Sequence, residues 1–201
     1  MNLEYQKMKE KMLTNLDAGC QHFFAVNGFM LENAYCQLIN SNLEEAKKCF
    51  KSVEDADSRA KWGLFMISMI ENDVKTYPTY FELRNFLEID LNILIHYFKG
   101  YYVENIVRYA DFMFTINPEV HKFIGRVLYN NDFLEQAMFF LDRARNYFYN
   151  DPELHYLLGF IYFNNKDYEK SQKALNDCLT ILPEYFPAID LTRKINEICA
   201  N

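Results

Sequence analysis

Clustered positive charge is missing from this chain. No basic run is longer than Lys47-Lys48, and the net charge is −7. Phosphate recognition needs several lysines or arginines held together, so nucleic acid is excluded as the expected partner, and an anionic membrane surface with it. Long apolar runs are also missing. No window approaches the roughly 18 consecutive apolar residues of a membrane-spanning helix, so no membrane insertion is expected. The first residues, Met1 to Lys11, are charged and amphipathic with no apolar stretch. They read as non-secretory. The five cysteines, Cys20, Cys36, Cys49, Cys178 and Cys199, are irregularly spaced and contain no Cys-x-x-Cys. That pattern fits unpaired thiols in a reducing, cytoplasmic setting rather than a disulfide framework or a zinc site.

Chemistry-bearing motifs are equally scarce. There is no glycine-rich dinucleotide or phosphate loop, no His-Glu-x-x-His and no Gly-x-Ser-x-Gly. The four histidines are His22, His96, His121 and His155. None forms the i, i+4 pair that would place two metal ligands on one helix face. Cys20 and His22 are too close in sequence for a catalytic pair, and carboxylates such as Glu44 and Glu45 read as a solvated face. The chain is therefore expected to bind no cofactor or metal and to have no catalytic residues.

Glycine and proline number only 6 and 5 in 201 residues, and β-branched alternation is hard to find. What is abundant is apolar and aromatic material: 50% hydrophobic, with 18 Phe and 15 Tyr. Apolar residues recur at three and four, as in Val120, Ile124, Leu128 and in Leu154, Leu158, Tyr162. This is the period of helices buried along one face. Polar breaks interrupt it at Asn40-Ser41-Asn42, Glu71-Asn72-Asp73, Lys99-Gly100, Asn130-Asn131-Asp132, Asn150-Asp151-Pro152 and Asn164-Asn165-Lys166-Asp167. The result predicts an all-α chain of helices about ten to fifteen residues long, joined by tight turns.

The chain also repeats itself. Laid on residues 152–185, residues 118–151 match at Pro118/Pro152, Glu119/Glu153, His121/His155, Gly125/Gly159, Asn130-Asn131/Asn164-Asn165, Glu135/Glu169 and Leu141/Leu175. Proline in a first helical turn loses no hydrogen bond, and Asp151 before Pro152 can cap the helix. Gly125 and Gly159 fall mid-helix, where glycine costs about 1 kcal/mol against alanine. Close approach of a second helix, at Ala137, Ala144, Ser171 or Cys178, would repay that cost. One such hairpin cannot bury its apolar face alone, so neighbours must stack.

This unit resembles the tetratricopeptide repeat. Residues 152–185 carry the likeness through Leu158-Gly159, Tyr162, Ser171, Cys178 and Pro183; residues 118–151 carry it through Ile124-Gly125, Leu128, Ala137, Leu141 and Ala144. His121 and His155 replace the family's usual tryptophan, and Tyr149 replaces the first unit's closing proline. Upstream, Leu43–Phe50 resembles a second helix in a unit near 27–55. Trp62-Gly63 fits a first helix, and Gly100–Ile106 fits a turn and second helix. The helix preceding Lys99 is open to two registers, one of them shortened by a cap at Asp90.

The resemblance implies a right-handed superhelical array of helix-turn-helix repeats forming one domain over 1–201. Residues 1–26 would be an N-terminal helix, 27–117 degenerate repeats, 118–151 and 152–185 clear repeats, and 186–201 a capping helix. It also implies a function: an adaptor or scaffold that binds a protein or peptide along the first helices. Lys122, Arg126, Tyr129, Asn130, Tyr156, Phe160, Phe163 and Asn164 would line the concave face, with Asp190 and Lys194 added by the last helix. Helical spacing independently puts 122, 126 and 129 on one face, and 156, 160 and 163 on another. That surface would be an aromatic trough with a basic corner, suited to apolar anchors and an acidic group. The family's lysine–asparagine clamp is not expected, because Tyr156 and Phe160 occupy its places in the second unit. Rings packed on neighbouring helices, or on a second copy in a homo-oligomer, fit the same spacing. A client-specific or secretion-type chaperone and a non-catalytic regulatory subunit are the alternative roles.

Overall fold

The computed structural model describes residues 3–98 and 100–200. Expectations that touch Met1, Asn2, Lys99 and Asn201 lie outside them. The described residues form thirteen helices and no strand: α1 (Leu3–Asn15), α2 (Ala18–Val26), α3 (Met30–Ile39), α4 (Leu43–Lys51), α5 (Ser58–Ile70), α6 (Tyr80–Phe98), α7 (Tyr101–Arg108), α8 (Ala110–Ile116), α9 (Val120–Asn130), α10 (Leu134–Tyr147), α11 (Pro152–Asn164), α12 (Tyr168–Ile181) and α13 (Phe186–Cys199). The chain divides into two compact units, Met1–Val120 and His121–Asn201.

In the first unit, the N-terminal segment read as one helix is two. Asp17 breaks it: its extended backbone and its carboxylate, which accepts the Cys20 N–H at 2.9 Å, start α2 afresh. α3 and α4 pack together as the hairpin expected near 27–55, with Ala34 and Ala46 buried. Trp62 and Gly63 lie in α5 as read. A Cβ on Gly63 would fall 2.6 Å from the Phe50 ring, so this glycine admits the preceding helix α4. In the second unit the corresponding contacts are made with the following helix.

The residues before Lys99 form one 19-residue helix, α6, which runs through Asp90 without a break. Asp90 does not cap a helix. It is 1% exposed and accepts three hydrogen bonds: from Tyr35 Oη at 2.5 Å, Arg59 Nη2 at 2.6 Å and Trp62 Nε1 at 2.8 Å. A carboxylate this deeply buried must be paired. The pairing ties α3, α5 and α6 together.

The second unit consists of the α9–α10 and α11–α12 hairpins and α13. Its glycines do what their mid-helix cost suggested. A Cβ on Gly125 would lie 2.7 Å from Leu141 and 3.2 Å from the Ala137 carbonyl. On Gly159 it would lie 2.8 Å from Leu175 and 3.4 Å from the Ser171 carbonyl. Ser171 Oγ also donates to the Gly159 carbonyl at 2.7 Å. Each hairpin turns the same way. Asp132 (φ 68°) and Lys166 (φ 61°) are left-handed, and the next residue's N–H reaches back to Leu128 O and Tyr162 O at 2.9 Å. This closes the helix carbonyls left without partners. Ser41 and Asn72 make the same turn in the first unit, with bonds from Asn42 N to Gln37 O and from Asp73 N to Ser68 O.

Candidate protein-binding surface

The eight residues predicted to line a binding face all belong to the second unit, on α9 and α11. Aromatic side chains dominate what they build. Tyr129, at the end of α9, packs beside the core of Leu141, Leu154 and Leu158. Its ring stands edge-on to Phe160 with centroids 6.3 Å apart; Phe160 lies 6.2 Å from Tyr156, and Tyr156 lies 5.4 Å from Tyr185. A ladder of four half-buried rings thus crosses from α9 over α11 to the residue preceding α13. Tyr156, Phe160 and Tyr185 pack on the core cluster that includes Leu175 of α12 and Leu191 and Ile195 of α13. Asn164 Nδ2 donates to Tyr129 Oη at 2.7 Å and fixes the far end. Phe163 is turned toward the α11–α12 corner and packs on Tyr168 at 5.8 Å. Asn130 is exposed at the rim, as are Asp190 and Lys194 on α13.

The basic corner is different from its prediction. Lys122 is 4% exposed, and its Nζ donates to Asp151 Oδ2 at 2.6 Å and to Glu153 Oε2 at 3.2 Å. Arg126 Nη1 lies 3.0 Å from the other oxygen of Glu153. Burial alone would depress the Lys122 ammonium, but Asp151 and then Glu153 outweigh it and hold it above its ordinary value. Two cations and two carboxylates therefore neutralise one another. The reason is the repeat itself: the acidic cap of α11 is delivered onto the face of α9. Asp151 performs two roles, since its Oδ1 accepts the Leu154 N–H at 3.2 Å while Oδ2 holds Lys122.

The histidines at the tryptophan positions are interior residues. His121 is fully buried with its ring 5.6 Å from Phe140, and His155 Nε2 bonds Tyr149 O at 2.8 Å. Among the described residues no three His, Cys, Asp or Glu side chains gather into a metal site, and no helix is long and apolar enough to cross a membrane. Sequence reading missed Tyr185. It lies in the turn before α13, at the last position of the 152–185 unit and outside the residues that carry the motif, and the folded turn carries its ring onto Tyr156.

Residues 152–185, the α11–α12 hairpin, match the family model of the tetratricopeptide repeat. The match covers the paired helices that carry Gly159, Leu175, Tyr156 and Phe160. It identifies this hairpin as a repeat of that kind, a protein–protein interaction module, within an all-helical chain. No curated protein and no solved structure matches the chain.

Proposed function

We propose that this protein is a non-catalytic, cytoplasmic adaptor or scaffold, and that the ring ladder Tyr129–Phe160–Tyr156–Tyr185 receives an apolar segment of a partner protein. The observation that carries this reading is the ladder's half-burial. Each ring is anchored on core side chains on one side and has surface left on the other. Rigid, partly desolvated aromatics are the residue types that supply most of the energy at protein interfaces. Asn130 and Asn164 at the rim can serve a partner's backbone amides. The neutralised Lys122–Arg126 corner argues against an acidic group as the principal anchor, so the proposed ligand is apolar and aromatic in character.

The test is Phe160→Ala with folding and capture measured on the same protein. Partners are first taken from native lysate and identified. The variant is expected to lose about 1 kcal/mol or more of partner affinity, roughly fivefold. It should lose less stability than the about 3–5 kcal/mol of a fully buried phenylalanine. A variant that melts that much lower, or one that is stable and binds its partner normally, removes the ladder as a partner site. A client that stays soluble only when co-expressed with this chain would point to a chaperone rather than an adaptor.

A further inference from the structure

The first unit contains a cleft of about 530 Å³ that is unrelated to the ring ladder. Its walls are α4, α5 and the irregular strap 73–79 that joins α5 to α6. The strap has a physical cause. Pro78 disfavours helix at Tyr77, and α6 cannot begin until Thr79 and Glu82 close a reciprocal cap, with Thr79 N to Glu82 Oε2 at 2.7 Å and Glu82 N to Thr79 Oγ1 at 3.2 Å. Tyr77 pins the strap through Phe112 at 5.3 Å, and Phe112 rests in turn on Phe65 at 6.5 Å. Leu64, Phe65 and Pro78 supply an apolar floor, and Tyr77 remains 73% exposed beside it.

Two further features face this cleft. Lys47 is satisfied by Glu71 and Lys75 by Asp73, at 2.7 Å each. Lys51 and Lys61, which line the same mouth, have no carboxylate within ion-pairing distance among the described residues; Glu54 is the one lining carboxylate left to oppose them. In addition, the backbone N–H groups of Val74, Lys75, Thr76 and Tyr77 make no hydrogen bond within the described residues. Open main chain beside an apolar cleft can pair with an extended peptide in the way an exposed sheet edge does, with one side chain of the peptide entering the cleft.

We infer that this cleft is a second, separate docking site for a peptide segment in extended conformation. The segment would insert one bulky apolar side chain between Leu64 and Tyr77, pair its backbone with residues 74–77, and place acidic side chains on Lys51 and Lys61. The site shares no residue with the ring ladder, so either can fail without the other.

The test selects dodecapeptides from a random display library on the full chain and measures the winners, as synthetic fluorescein conjugates, by anisotropy. Winners are expected to carry a bulky apolar residue next to Asp or Glu, and their affinity should fall as salt is raised. The double variant Lys51→Glu/Lys61→Glu should weaken them more than tenfold at unchanged melting temperature. Tyr77→Ala should weaken them several-fold, and Phe160→Ala should leave them unaffected. If the double reversal disturbs folding, Lys51→Gln/Lys61→Gln takes its place, with a several-fold loss expected. The inference is overturned if no peptide is selected, if winners lack the pattern, if they bind the charge variants normally, or if Phe160→Ala abolishes their binding. It is also overturned if the chain dimerises and the double reversal dissolves the dimer, since the cleft then holds a second copy.

Discussion

Lys122 shows how far a single residue's role depends on its surroundings. The family resemblance implies a cation on an open concave face, the basic corner of a trough. Buried between Asp151 and Glu153, it is part of the hairpin's own construction. Lys122→Glu places a third carboxylate, at a buried position, beside Asp151 and Glu153. A loss of about 3–5 kcal/mol is expected, the cost of breaking a buried pair, visible as a lowered denaturant midpoint. Gly159 is the opposite case, because spacing and structure agree. Gly159→Leu must displace Leu175 or the α12 backbone and should cost about 1–3 kcal/mol or more; an unchanged melting temperature would contradict the 2.8 Å approach. Asp17 gives a pH-dependent signature. Hydrogen bonds from Lys11 and from the Cys20 N–H hold its carboxyl at about 2, against an ordinary 3.8. The sign follows from the lowered value: the α2 cap is fully present above pH 4 and is lost as pH falls through about 2. An NMR titration of the Cys20 amide should show that low midpoint; a midpoint near 3.8 would mean that the cap is not formed.

At the scale of elements, α6 and the hairpin turns show two different sources of order. The α6 helix carries a buried carboxylate near its centre, and α3 and α5 supply Tyr35, Arg59 and Trp62 as its donors. Asp90→Ala leaves Arg59 without its counter-ion in a largely buried site. The expected loss is about 3–5 kcal/mol. Trp62 is the sole tryptophan and adjoins the substitution, so its fluorescence reports the unfolding of the first unit directly. The turns, in contrast, are local. Four of them end a helix with a left-handed residue, and Lys166 is the least suited side chain among Ser41, Asn72, Asp132 and Lys166. A non-glycine residue there costs roughly 1–2 kcal/mol, partly recovered by its lower freedom when unfolded. Lys166→Gly should therefore raise stability by about 0.5–1 kcal/mol in thermal or denaturant melts.

For the whole molecule, the expectation is a helical solution spectrum: far-UV circular dichroism with helix over well more than half of the chain and no β component. A dominant β signal would contradict every hairpin described. Elemental analysis of native protein is expected to find no stoichiometric zinc, in keeping with cysteines that are irregular in spacing and, except for Cys199, individually buried. The repeat match over 152–185 and the mirrored contacts of Gly125 and Gly159 show that the second unit was legible from a period of 34 residues. The first unit was legible only in pieces. After Asn72 the strap displaces the next helix, so α6 to α8 no longer follow the repeat. Helices of 19, 8 and 7 residues result instead of the even lengths predicted.

The sequence by itself determined the helical class, the hairpins, their turns and the close-packed glycines. All of these depend on residues within about 16 positions of one another, and helical period and steric size express themselves at that range. It also placed Tyr129, Tyr156, Phe160 and Asn164 together, because a repeat projects like positions onto one face. Only the tertiary structure decided charge and exposure. Asp151 and Glu153 neutralise Lys122 and Arg126 across adjacent hairpins; Asp90 is buried rather than capping; Tyr185 completes the ladder; Lys51 and Lys61 are left facing an open cleft. Electrostatic pairing and burial are set by groups distant in sequence but adjacent in space, and spacing along one helix carries no record of them.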